Sequence, residues 1–195
     1  MKLRKFLFAG ALLVASLFSV NSVMAEAPPT DEVTVNLKFM PLQSIVVNST
    51  TGHQEVDFVF QTSIDYTNGV TVPKKEKHLN VFSTGGFQVS LQTSEEYFTS
   101  ANTATTIPVS DVAVTATPSD GNGLSYELLG NGLELSNSST PFITSDSGGS
   151  DLEFDVVYSN PGFNTADYIN RYDKNNVDGG ATVFTTTLTY TIATN

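Results

Sequence analysis

From Val33 onward the chain alternates, with Val33, Val35, Leu37 and Phe39 on one side and Thr34, Asn36 and Lys38 on the other. Period two predicts an extended strand with one apolar face, because successive strand side chains point to opposite sides. Pro41 lacks the amide donor that a ladder needs and ends that strand. The pattern resumes at Ile45-Val46-Val47 and, past the polar turn Asn48 to Gly52, at Val56, Phe58 and Phe60. An Asn68-Gly69 turn follows. Leu79, Val81 and Ser83, then Phe87, Val89 and Leu91, flank Thr84-Gly85-Gly86 and predict a hairpin. Further strands are predicted at Val112, Val114 and Ala116, around the Gly130-Asn131-Gly132 turn, and at Leu152, Phe154, Val156 and Tyr158. Phe184, Thr186, Leu188, Tyr190 and Ile192 share one face of a last long strand, with a row of Thr opposite. Only Asn164 to Asn170 carries a helical hint, a turn or two at most.

Roughly eight or nine short strands, punctuated by Gly, Pro, Asn and Ser, predict an all-β, immunoglobulin-like Greek-key β-sandwich. No fixed-period repeat points to a solenoid or propeller. The segment before the first strand reads differently. Lys2, Arg4 and Lys5 precede an uncharged run from Phe6 to Val20, and Val23-Met24-Ala25 puts small side chains where a signal peptidase reads. A helix of that run is about 22 Å long, short of the roughly 30 Å hydrocarbon core. The expected organisation is therefore a signal peptide over 1–25 cleaved between Ala25 and Glu26, a flexible Pro-rich leader over 26–32, and a single sandwich domain over 33–195. Export to the periplasm, cell surface or exterior follows, with no membrane insertion of the mature chain.

Charge and cysteine content sharpen this picture. Cleavage removes three of nine basic residues and none of 20 acidic ones, leaving six against 20 and a net charge of −14. Nucleic acid and anionic membranes are poor partners for such a surface. With no Cys, an exported domain of this size depends on its core alone, which Phe and Tyr side chains supply.

No catalytic set is legible, and the expectation is a protein that is not an enzyme. His53 and His78 lack neighbours at ligand spacing and read as solvent-facing, so no metal or other cofactor is expected. No Gly-x-Ser-x-Gly elbow occurs. Glu95 and Glu96 are adjacent, while Glu153 and Asp155 share what should be the solvated face of a strand. Asp173, Asn175 and Asp178 miss the calcium-loop register, because Val177 falls on a ligand position and Asp178 on the required glycine. Tyr158, Phe163, Tyr168 and Tyr172 gather around the 160–176 loop, where exposed rings could stack on sugar. They are the candidates for an alternative role in binding glycan or peptidoglycan.

The signal peptide, the short leader, the strand Val33 to Phe39, the Pro41 break before Leu42-Gln-Ser-Ile-Val-Val47, the strand Val112 to Ala116 and the ending Phe184 to Ile192 resemble a known layout. It is that of cysteine-free fimbrial subunits of the colonisation type, assembled by the chaperone and usher route, and is similar to secreted spore-coat-like β-domains. The resemblance implies a non-enzymatic surface subunit whose partners are itself or related subunits and a periplasmic chaperone. It also implies donor-strand complementation, with Val33, Val35, Leu37 and Phe39 entering pockets along an incomplete sandwich, an instance of strand addition to a free edge.

Overall fold

The computed structural model describes residues 30–48, 54–101, 103–119, 127–128, 132–160, 168–174 and 180–195. The predicted signal peptide, His53 and Phe163 lie outside the described residues. The chain divides into two units, Met1–Lys38 and Phe39–Asn195. Of the first, residues 30–38 are described; all are exposed and none belongs to a helix or strand. None of the residues Val33 to Phe39 is in a strand, and the division between the two units falls between Lys38 and Phe39. Alternation confers the capacity for a strand, but a strand exists only when a neighbour supplies the ladder.

The second unit is all-β, with twelve strand segments among the described residues. They are β1 (Gln43–Val47), β2 (Val70–Thr71), β3 (Lys75–Ser83), β4 (Phe87–Thr93), β5 (Tyr97–Ser100), β6 (Thr103–Pro108), β7 (Ala113–Pro118), β8 (Glu127–Leu128), β9 (Leu133–Glu134), β10 (Thr140–Ser145), β11 (Gly149–Asn160) and β12 (Leu188–Thr194). One sheet has the order β1-β3-β11-β7-β9, with β2 also on β11; the other is β12-β4-β10-β8, and β5 and β6 form a separate hairpin. All described pairings are antiparallel. The core between the two main sheets holds the inward positions of each alternating run: Leu79 and Val81 of β3, Val89 and Leu91 of β4, Val114 and Ala116 of β7, and Phe154, Val156 and Tyr158 of β11.

Three local expectations change. The runs around Thr84-Gly85-Gly86 do not form a hairpin, because β3 and β4 lie in different sheets and the turn is a corner between them. A second corner, Asp146 to Gly148, joins β10 to β11 and packs on the first. A Cβ on Gly148 would lie 2.1 Å from the Ser83 carbonyl oxygen, and one on Gly86 3.1 Å from that of Ser145. Ser83 and Ser145 brace the two corners alike, their hydroxyls donating to the carbonyls of Gly85 (2.7 Å) and Ser147 (2.9 Å). Alternation is the same for a hairpin and a corner; the strands' partners in different sheets distinguish them.

Val56, Phe58 and Phe60 do alternate inward, and Val56 and Phe58 pack on the core, yet residues 54–61 carry no strand. The Asn68-Gly69 pair ends a helix, α1 (Ser63–Asn68), in place of the expected turn. Its start is a capping box: Asp65 N–H donates to the Thr62 hydroxyl, and the Asp65 carboxylate accepts from the Thr62 N–H. Gly69, at φ 78°, supplies the left-handed turn that stops it.

Candidate functional site

Sheet edges expose unpaired backbone donors and acceptors, and folded proteins commonly blunt them with charge, Pro, bulges or brevity. In this protein β8 and β9 are blunted by brevity, at two residues each. The edges at the other side of the sandwich are not. β12 runs seven residues in unbroken register with β4, from Leu188 opposite Thr93 to Thr194 opposite Phe87, with no charged side chain and no Pro. β1 is paired in the same unbroken way with β3 and is equally uncharged. These two edges face each other across the sandwich, with Cα atoms within 8 Å.

The order β1-β3-β11-β7 reproduces strands A-B-E-D of an immunoglobulin-type sandwich, and β12-β4 reproduces F-C. In that arrangement a further strand, G, lies outside F. Among the described residues that position beside β12 is unfilled. Half-buried side chains line both flanks, Ile45 and Val47 on β1 and Leu188, Tyr190 and Ile192 on β12, all packed on the core.

The flanks meet at the β3–β4 corner. Leu42 N–H donates to the Thr84 hydroxyl (2.9 Å), and Thr84 N–H donates to the Leu42 carbonyl (3.0 Å). From the other flank, Asn195 N–H donates to the Gly86 carbonyl at 3.2 Å. Upstream of Leu42, the predicted strand residues stand in water: Val33 is 86% exposed, Val35 and Leu37 81%, and Phe39 90%. Met40 extends this apolar row at 76%.

Behind the β12 edge lies a polar cluster inside the core. His78 of β3 is 2% exposed, which overturns its reading as a solvent-facing residue. Alternation would set it opposite its buried neighbour Leu79, yet both are buried, and the strand is irregular just before them, at Lys77 (φ 50°). Its Nε2 lies 2.9 Å from the Tyr158 hydroxyl, which lies 2.5 Å from the Tyr190 hydroxyl. The imidazole meets both phenol rings edge-on, with centroids 5.7 Å and 6.1 Å away. Burial pushes the Tyr158 phenol up to about 12, against the opposing effect of the Tyr190 hydrogen bond. Burial, then the adjacent Tyr158, holds Tyr190 well above the usual phenol value. One strand of each main sheet is thus tied through Tyr190 and Tyr158.

Asp155 was expected on a solvated face with Glu153 but is buried. Phe154 and Val156 on either side of it both face the core and β11 keeps unbroken register with β7 there, so Asp155 stays on the outer face. It is covered where the β11–β3 register shifts and three residues of β3, Glu76 to His78, lie opposite it. It accepts from Lys74 Nζ (2.6 Å), the Ser119 hydroxyl (2.5 Å) and the Lys77 amide (2.8 Å). Desolvation raises its pKa, but these donors together outweigh that and hold the carboxyl below the ordinary aspartate value. Glu153 stays nearer the surface and pairs with Lys77 at 2.7 Å.

Two of the proposed sugar-stacking rings are not at the surface. Tyr158 belongs to the core cluster, and Tyr168 is 7% exposed, stacked on Phe60 and donating its hydroxyl to Asp111 at 2.6 Å. Burial, and next that carboxylate, raises its pKa. Tyr172 remains at the surface, 60% exposed. Among the described residues no group of three or more His, Asp or Glu side chains is placed to hold a metal ion, and no helix is long and apolar enough to cross a membrane. The two sequence comparisons add no identity: no protein-family model and no curated protein matches the chain.

Proposed function

We propose that this protein is a non-enzymatic, exported structural subunit, fimbria-like, that assembles by strand addition. The segment Val33 to Phe39 of one copy, or of a related subunit, is the added strand, and the open β12 and β1 flanks of another receive it. The observation that carries this reading is the row Val33, Val35, Leu37 and Phe39, all at least 81% exposed at strand spacing. Four adjacent apolar side chains held in water are costly unless a partner covers them. Burying them gains roughly 6–12 kcal/mol in gross terms. Association costs about 4–15 kcal/mol, so the apolar teeth alone are marginal and the backbone ladder of an open edge must contribute. The uncharged, unbulged β12 edge supplies such a ladder. The resemblance to chaperone–usher subunits adds a periplasmic chaperone as a second occupant of the same edge.

Size-exclusion chromatography of the chain lacking residues 1–25, with and without residues 26–39, tests the reading. The longer form should elute as multimers and the shorter as a folded monomer. A longer form that stays monomeric at high concentration, or a shorter form that is unfolded, rejects it.

A further inference from the structure

We propose that the Lys38–Phe39 peptide bond is a processing site for an endoprotease that selects basic side chains, and that strand addition shields it. Lys38 is the only Lys or Arg between Lys5 and Lys74. Every residue from Thr30 to Leu42 is exposed and none of them is in a helix or strand. The division between the chain's two units falls at this same bond. A protease takes its substrate extended, with the backbone free on both sides of the bond, so burial and hydrogen bonding of the flanking backbone decide where it cuts.

The other five basic residues after Ala25 are held more firmly. Lys74 and Lys77 pair with Asp155 (2.6 Å) and Glu153 (2.7 Å), and Lys75, laddered to Val156 of β11, donates to the Glu55 carbonyl at 3.1 Å. Arg171 is half-buried, and its amide donates to the Tyr168 carbonyl at 3.0 Å. Lys174 is exposed, but the Asp173 backbone before it is tied twice to the Thr182 hydroxyl, its N–H donating at 2.8 Å and its carbonyl accepting at 3.2 Å. An enzyme whose specificity pocket carries a carboxylate therefore finds one ready bond, after Lys38. An enzyme that selects apolar side chains would meet Leu37, Phe39, Met40 and Leu42 at several bonds, and Tyr172 elsewhere.

Hydrolysis adds one water across the bond. The C–N bond breaks, the Lys38 carbonyl becomes a carboxylate, and the Phe39 nitrogen takes up the protons as a new terminal ammonium. Val33, Val35 and Leu37 leave with the released segment, while the β1 and β12 flanks stay with the sandwich. A processed copy can still receive a strand but cannot give one, so it ends a growing array. The shielding rests on the strand-addition reading. Alternation keeps the Lys38 side chain on the face away from the apolar row, so an added strand leaves it in water and withdraws the backbone on either side of the bond into a ladder.

Limited trypsin digestion of the chain lacking residues 1–25, at a dilution where it is monomeric and read by intact mass, tests the bond. Cleavage after Lys38 should leave Phe39–Asn195 and be about tenfold or more faster than at the other basic residues, which need local opening first. Lys38→Gln should remove this product. A first cut elsewhere, or the same product from Lys38→Gln, overturns the site. In the cells that make the protein, monomeric chains should begin at Phe39 and multimeric ones upstream of Val33. Monomers that retain Val33 overturn the processing, and multimers cut by trypsin as fast as monomers overturn the shielding. Failure to form multimers counts against strand addition alone, because the monomer's digestion and its first residue still decide the bond.

Discussion

Two stretches of this chain carry nearly the same pattern and meet opposite fates. Val33, Val35, Leu37 and Phe39 are 81–90% exposed, whereas Leu152, Phe154, Val156 and Tyr158 are 0–4% exposed. Spacing and apolar content do not separate them. Neighbours do: β11 lies between β3 on one side and β7 on the other, and β2 joins its end, so its backbone is satisfied and its inward side chains meet a second sheet. The described residues before Leu42 belong to no strand. Period two therefore marks the ability to complete a sheet, and whether that sheet lies in the same copy is a separate matter.

The same substitution made in both stretches puts this contrast at risk. Phe154→Ala should cost about 3–5 kcal/mol of stability, read from the denaturant midpoint, because it empties a fully buried site. Phe39→Ala should change the stability of the isolated subunit by less than about 0.5 kcal/mol while weakening multimer formation. Equal destabilisation by the two would show that Phe39 packs within its own sandwich, and the strand-addition reading would fall.

A smaller effect belongs to Asp155, where β3 departs from regular pairing with β11. Asp155→Ala should cost about 1.5–3 kcal/mol, the range for hydrogen bonds to a charged group. Its folded pKa is lowered, so its contribution is present above the unfolded value of about 3.9 and is lost as pH falls through the lower folded value. Acid titration of stability should accordingly be shallower below pH 4 in Asp155→Ala than in the natural sequence. Smallest in stability is Thr191→Lys on the exposed face of β12, within about 0.5 kcal/mol. Placed in the middle of the open edge, it should nevertheless impair assembly, since a charged edge resists strand pairing. Unimpaired multimers in that variant would move the receiving edge from β12 to β1.

Much of the sandwich was legible from alternation alone. β1, β7 and β11 fall where the apolar positions place them, and the inward faces of β3 and β4 are the predicted ones; the last strand, expected from Phe184, begins only at Leu188. The hairpin between β3 and β4 was misread because a corner and a hairpin share the same residues up to the turn. The two are separated by the partners β3 and β4 take in different sheets, and the corner is marked by the close approach of Gly148 to the Ser83 carbonyl. α1 was missed although Thr62-Ser63-Ile64-Asp65 carries its capping signal, since six residues contain too little helical periodicity to register. His78 was placed in water on residue type, and Asp155 on register. Two extra residues of β3 opposite Asp155 cover a side chain that alternation does set on the outer face.

By itself, then, the sequence determined the class of fold, the inward faces of the long strands and the existence of an apolar, strand-competent segment ahead of Pro41. These follow from side-chain alternation and backbone chemistry, which are local. Which strands pair, which edges stay open, what covers Asp155 and how His78 comes to stand behind β12 were decided only by the tertiary structure. Each depends on contacts between residues far apart in the chain, such as Tyr158 with Tyr190 and Gly148 with Ser83, and no local pattern encodes a partner.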